Sequence, residues 1–313
     1  MKKLILYTLI FISPFIVIVI GLETLLRRLP NAYMLKADFL KTNSNNTQIL
    51  ILGSSHGITG INPDSFTKNA FNTANYAQTL DIDYKILDRY QDKLDSLEYV
   101  IIPLSYHLLW TNIEDHPQRW RRKYYNIYYG IDIEQNPLKR LLFLDETMRT
   151  NFQIIQNYYY KKEDPIPNLT PKGFVILKLA KSVDVIKEVS KKVISAHTAS
   201  DLDWRYFENI EYLKKIIEIG KKKKAKTIFV TIPAHASFVK LLNQKQLNML
   251  YSAANELADN KDVFYYDCLN DFKKDTGNKN YELFFDSDHL SYLGAEVFSH
   301  KLDSIIKVLD KKD

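Results

Sequence analysis

The chain has 313 residues, of which 46% are apolar, a formal net charge of +6 and one cysteine, Cys268. That apolar fraction supports a packed core and excludes a disordered polar chain, and a lone cysteine excludes an intramolecular disulfide. The positive charge lies largely in lysine runs such as Lys221–Lys224 with Lys226, which follow the helically spaced Tyr212, Leu213, Ile216 and Ile217; they suit the negative end of a helix better than a phosphate-binding patch, so no nucleic-acid partner is expected.

From Leu4 to Leu22 the chain is almost wholly apolar, interrupted only by Tyr7, Thr8, Ser13, Pro14 and Gly21. The run has about the 20 residues that cross a bilayer. It is apolar on every side, unlike an amphipathic surface helix. Lys2 and Lys3 precede it and Arg27 and Arg28 follow it, so charge gives little bias of orientation. No small-residue cleavage site follows. Residues 1–28 therefore read as an uncleaved membrane anchor, with the rest of the chain outside the cytoplasm. Residues 29–47 read as a polar stalk ending in Asn43-Ser44-Asn45-Asn46-Thr47. The remainder, 48–313, reads as one α/β domain, and removal of residues 1–28 is expected to leave a body that folds.

Strand and helix signals then alternate. Gln48–Gly53, Ala70–Ala74, Tyr99–Leu104, Thr227–Ile232 and Val263–Asp267 are predicted strands; 80–94, 204–221, 239–258 and a C-terminal segment through Val297, Phe298, Leu302, Ile305, Ile306 and Leu309 are predicted helices. Continuous apolar strands separated by helices predict a three-layer α/β/α fold with a mainly parallel five-stranded sheet. Residues 108–203 interrupt the pattern and are too long for an ordinary loop. They carry Trp120-Arg121-Arg122-Lys123-Tyr124-Tyr125 and Tyr158-Tyr159-Tyr160, and read as a helical insertion or lid. Its aromatic residues pack it onto the sheet, stack on sugar rings or touch the membrane surface.

Two short segments carry chemistry. Gly53-Ser54-Ser55-His56 closes the first apolar strand, and Asp286-Ser287-Asp288-His289-Leu290 lies far downstream. Sites in such sheets lie beyond the carboxyl ends of the strands, where Ser55 falls. A serine needs a base within hydrogen-bond reach, and a histidine with an aspartate three residues before it can supply base and orienting group. Ser55, His289 and Asp286 are thus the candidate catalytic residues. Asp288 is a less natural orienting group because it adjoins His289. His56 is expected to point away from Ser55 and either to support the catalytic residues from behind or to serve a structural role. Asn75, Ser105, His107 and His235 sit at strand ends, where they can contact substrate. No ligand spacing for a metal and no glycine-rich phosphate loop is present, so no cofactor is expected.

The positions Gly53, Ser55, Asp286 and His289 resemble the first and last blocks of the SGNH/GDSL hydrolase superfamily. Ser54 stands where that family typically has Asp. With Gly60-Ile61-Asn62-Pro63 and Phe71-Asn72, the segment is similar to a membrane-anchored branch that includes the teichoic acid D-alanine-transfer protein and polysaccharide O-acetyltransferases. The resemblance covers residues 48–107 and 226–310 and not the middle. It implies the flavodoxin-like SGNH fold and a serine-dependent acyltransferase or esterase acting on acyl, above all O-acetyl, groups of a surface or exported polysaccharide. It also implies an acyl donor and a multi-pass membrane acyltransferase as partner. The family's asparagine of the third block is missing: Ile102-Pro103-Leu104-Ser105-Tyr106-His107 stands there, so the oxyanion donors must come from the backbone of Ser55, Ala74 or Asn75, or from the side chains of Asn75, Ser105 or His107. A catalytically inactive glycan-binding or assembly protein is the competing reading.

Overall fold

The computed structural model describes residues 1–273 and 280–311. In chain order its regular elements are α1 (Lys2–Arg27), α2 (Ala32–Thr42), β1 (Ile49–Ile51), α3 (Ser55–Gly60), β2 (Ala70–Asn72), α4 (Leu80–Tyr90) and β3 (Tyr99–Pro103). There follow α5 (Arg122–Tyr124), α6 (Met148–Tyr159), α7 (Val183–His197), α8 (Tyr206–Lys222), β4 (Lys226–Val230), α9 (Ala236–Val239), α10 (Gln244–Leu257), β5 (Val263–Tyr266) and α11 (Tyr292–Asp310). They fall into two compact units: Met1–Met34 with Trp120–Pro167, and Leu35–Arg119 with Asn168–Asp313.

The larger unit is the α/β body. Its sheet has the order β2-β1-β3-β4-β5, with every pairing parallel. Ile49 pairs with both Ala70 and Tyr99, and Thr227 with Val263. The strands lack polar alternation because both faces are covered. Ile49, Ile51, Ile101 and Ile228 face Phe298, Leu302 and Ile306 of α11, while the alternate residues Leu50, Val100, Ile102 and Phe229 are equally buried on the other side. The lysine run closes α8, with Lys221 and Lys222 in its last turn.

Two sequence readings change here. The segment read as a stalk carries α2, whose Ala37 and Leu40 are fully buried and whose Phe39 stacks on Phe71 of β2 with ring centroids 3.5 Å apart. The interruption at 108–203 is also not one body. Residues 168–203, with α7, belong to the α/β unit, and 120–167 belong with the N-terminal helix.

In that smaller unit, α1 is long and apolar enough to span a membrane. Its residues from Leu4 to Ile18 are exposed, and protein contact begins at Leu22. Leu22, Leu26 and Leu29 pack with Leu142 and Ile155 of the 120–167 segment. Glu23 fixes the contact: its carboxylate accepts from the Leu142 and Phe143 backbone N–H groups at 2.8 and 3.1 Å and pairs with Arg27 at 2.6 Å.

Candidate active site

The first half of the site is the turn after β1. Gly53 has φ +110°, the left-handed region, and a Cβ there would lie 3.1 Å from Pro103 Cδ, so the position requires glycine. Its N–H donates to Asp83 Oδ1 at 2.8 Å, and its carbonyl accepts from Asn75 N–H at 3.2 Å. Burial pushes the Asp83 carboxyl up to about 7, against the two hydrogen bonds from Gly53 and Gln78 that favour its charged form. The chain then enters α3 with Ser55 as its first residue. Asn72, fully buried, donates from Nδ2 to the carbonyls of Gly57 and Ile61 at 2.8 and 2.9 Å and so ties α3 to β2.

The second half is the loop before α11. Phe284 and Leu290 form an antiparallel bridge that clasps its ends. Inside it, Asp286 Oδ1 accepts from the backbone N–H groups of Asp288 and His289 at 3.1 and 2.8 Å. The same carboxylate reaches His289 Nδ1 at 3.0 Å with both oxygens. The three-residue spacing therefore has a local cause: it closes the turn and sets the ring with one side chain. His289 Nε2 lies 2.9 Å from Ser55 Oγ. Ser55, His289 and Asp286, up to 234 residues apart, form one continuous hydrogen-bonded chain.

The Asp288 carboxylate lies 3.7 Å from His289 Nδ1, against 3.0 Å for Asp286. Burial alone would lower the basicity of the His289 imidazole; Asp288 and Asp286 together outweigh it and hold the group at about 9. The two carboxylates thus favour the charged ring, in which Nε2–H faces Ser55 Oγ. Only the neutral ring, with its proton on Nδ1 toward Asp286, can accept the serine proton.

His56 is not a bystander. Its ring stacks on His289 with centroids 4.6 Å apart and planes 9° from parallel. Its Nδ1 lies 2.9 Å from Ser105 Oγ, and its Nε2 lies 3.1 Å from Asp288 Oδ2. A second Ser–His–Asp chain, Ser105–His56–Asp288, thus lies against the first. Its three residues are buried. His107 and His197 complete a cluster of four histidines, their rings stacked at 3.9 Å. Burial, first of all, lowers both, His197 to about 4. With Leu104, Tyr106 and Phe238 they border a cavity of about 20 Å³, room for a single water. Atoms of His56, Asp288 and His289 lie within 4.8 Å of one another, a spacing a metal ion could bridge. Two parallel stacked imidazoles, however, direct their in-plane lone pairs side by side rather than at one point, and the set suits proton exchange better.

Of the other residues expected near substrate, Asn75 is 1% exposed and its amide turns back to Thr73 O and Gln78 Oε1 at 3.4 and 3.3 Å. His235 caps α9, with Nδ1 accepting from Ser237 N–H at 3.2 Å, and its own N–H donates to Ser287 O at 3.0 Å. The backbone N–H groups of Ala74 and Asn75 donate to Asn72 Oδ1 and Gly53 O, which leaves Ser55 N–H as the backbone donor of the expected set. The residue that sequence reasoning missed outright is His197. Its only signal was a histidine at the end of an amphipathic helix.

No family model matches the chain, and no curated protein is similar to it in sequence. Among solved structures it is similar to a protein of Streptococcus pneumonia provisionally described as a platelet activating factor, at 12% identity and TM-score 0.44, over 93% of this chain and 98% of that one. It is also similar to a provisionally assigned acylhydrolase of Bacteroides fragilis, at 12% identity and TM-score 0.43, over 87% and 94%. At such identity the likeness says nothing about chemistry or substrate.

Proposed function

We propose that the chain is a membrane-anchored, extracytoplasmic serine acyltransferase or esterase that acts on acyl groups, in first place O-acetyl groups, of a surface or exported polysaccharide. The observation that carries this reading is the 2.9 Å contact between Ser55 Oγ and His289 Nε2, with Asp286 on the opposite nitrogen. In the reaction, Ser55 Oγ attacks the acyl carbonyl carbon while its proton passes to neutral His289. The tetrahedral intermediate collapses as His289 returns that proton to the departing alcohol. The acyl-Ser55 ester is then released by a sugar hydroxyl or by water, with the same proton exchange. Asp286 holds the tautomer and steadies the imidazolium.

Reaction of the full chain with a serine-directed fluorophosphonate tests the reading. The label is expected on Ser55, and it should vanish in Ser55→Ala and fall steeply in His289→Ala. Turnover of a small activated acetyl ester should be lost in both. Equal labelling of Ser55→Ala would remove Ser55 as nucleophile.

A second reading, a glycan-binding protein without catalysis, has one observation in its favour. Two of the backbone donors available for an oxyanion are already engaged at Ala74 and Asn75, and one lost donor typically costs ~10²–10³ in rate. Glycan binding that survives Ser55→Ala and His289→Ala, with no turnover in the wild type, is its signature.

A further inference from the structure

We infer that the 120–167 segment docks its exposed apolar face into the lipid surface beside the anchor, so that this unit is held by an interfacial patch as well as by a span. The inference rests on reading α1 as the membrane span. Twenty residues, Lys2 to Gly21, rise about 30 Å in an α-helix, the thickness of the hydrocarbon core. Protein contact begins at Leu22, at the level where hydrocarbon gives way to headgroups. Glu23, one residue on, accepts the Leu142 and Phe143 N–H groups, and Arg27 Nη2 donates to Arg140 O at 3.3 Å. The chain from 140 to 143 thus runs back along α1 toward the bilayer, and Leu144 comes next.

There the side chains turn outward. Leu144 is 57% exposed and Phe152 55%, and Met148, one helical turn before Phe152, is exposed beside it. Asn151 and Ile155, three and seven residues after Met148 and so on the same face of α6, are buried in the unit, and Met148 and Phe152 form the uncovered rim of that face. Exposed apolar side chains on one side of a short helix, at headgroup depth, match an interfacial helix. The charges agree. Arg28 and Arg149 are exposed at this end of the unit, where cations meet lipid phosphates. Of the two nearby acids, Asp145 is paired with Lys123; Glu146 remains exposed.

The test uses the full chain in vesicles of mixed phosphatidylcholine and phosphatidylglycerol, with one nitroxide label per variant, at Leu144→Cys, Phe152→Cys, Ile12→Cys or Lys261→Cys. Native Cys268 is buried and should stay unlabelled. Collision with oxygen, which concentrates in lipid, is compared with collision with an aqueous nickel chelate. Labels at 144 and 152 are expected to favour oxygen several-fold over the label at 261 and to fall short of the label at 12. If 144 and 152 match 261 while 12 favours oxygen, the docking inference is overturned and the anchor stands. If 12 also matches 261, the anchor reading falls and the inference with it.

Discussion

Two aspartates two residues apart act on one imidazole, and their distances separate their roles. Asp286 meets His289 Nδ1 at 3.0 Å and fixes its tautomer; Asp288 stands at 3.7 Å, bonded to His56, and acts through space. The resulting His289 value of about 9 sets a pH dependence with a definite sign. In the proposed reaction the base must be neutral, so kcat/KM should rise from neutral pH toward about 9. Stability should move the other way: a raised folded-state value stabilises fully below the unfolded value and is lost as pH climbs through the folded one. Asp288→Asn removes the more distant charge's influence without freeing Nδ1, so the activity limb should shift toward neutral pH. Asp286→Asn should instead cut the rate by up to ~10⁴, because the tautomer is lost. A limb that stays put in Asp288→Asn would show that Asp288 does not set the basicity of His289. The Ser55, His289 and Asp286 trio was legible because each lies in a short local motif. The His56 stack was not, since its partners Ser105 and Asp288 arrive from 49 and 232 residues away.

Among the elements, α3 decides where Ser55 sits, and it does so by packing against backbone. A Cβ on Gly57 would lie 2.8 Å from Leu52 O and 3.0 Å from Ala74 Cβ, both on the strand ends that frame Ser55. Neither neighbour is a flexible tip that can swing aside. Gly57→Ala should therefore lift α3 off the sheet, at a cost of ~1–3 kcal/mol as for other overpacked sites. Ser55 should lose register with His289. A denaturant midpoint unchanged from wild type, with full phosphonate labelling, would show that the close approach is not needed. The five strands were readable from the sequence because burial on both faces leaves only apolar residues. Helix α2 was passed over because the run of asparagines after it suggests a tether. The apolar face that buries Ala37 and Leu40 is interrupted by Lys36, a fully buried lysine whose ammonium donates to the Ala74 carbonyl. A lysine on a core-facing position reads as solvent exposure, and only the fold supplies its acceptor.

At the scale of the whole molecule, the boundary between the apolar N-terminal helix and the folded protein does not fall where composition changes. By composition the apolar segment ends near Arg28; by packing, the folded smaller unit begins at Leu22. Leu22, Leu26 and Leu29 are 4%, 7% and 8% exposed, and they cover Leu142 and Ile155. A sequence cannot show this, because a leucine facing lipid and a leucine facing protein satisfy the same hydropathy pattern. The consequence is a difference between two truncations that composition would treat alike. Removing residues 1–21 keeps Leu22, Glu23 and Leu26 in place and should leave 120–167 intact. Removing residues 1–28 takes away Leu22 and Leu26, two of the three leucines that cover Leu142 and Ile155, and deprives the Leu142 and Phe143 N–H groups of the Glu23 carboxylate. Limited proteolysis reads the difference. The longer deletion should be cut within 120–167 at protease levels that the shorter one resists, while β1 to β5 stay protected in both. Equal resistance of the two chains would show that the last turns of α1 are dispensable to the unit and that the fold begins only after Arg28.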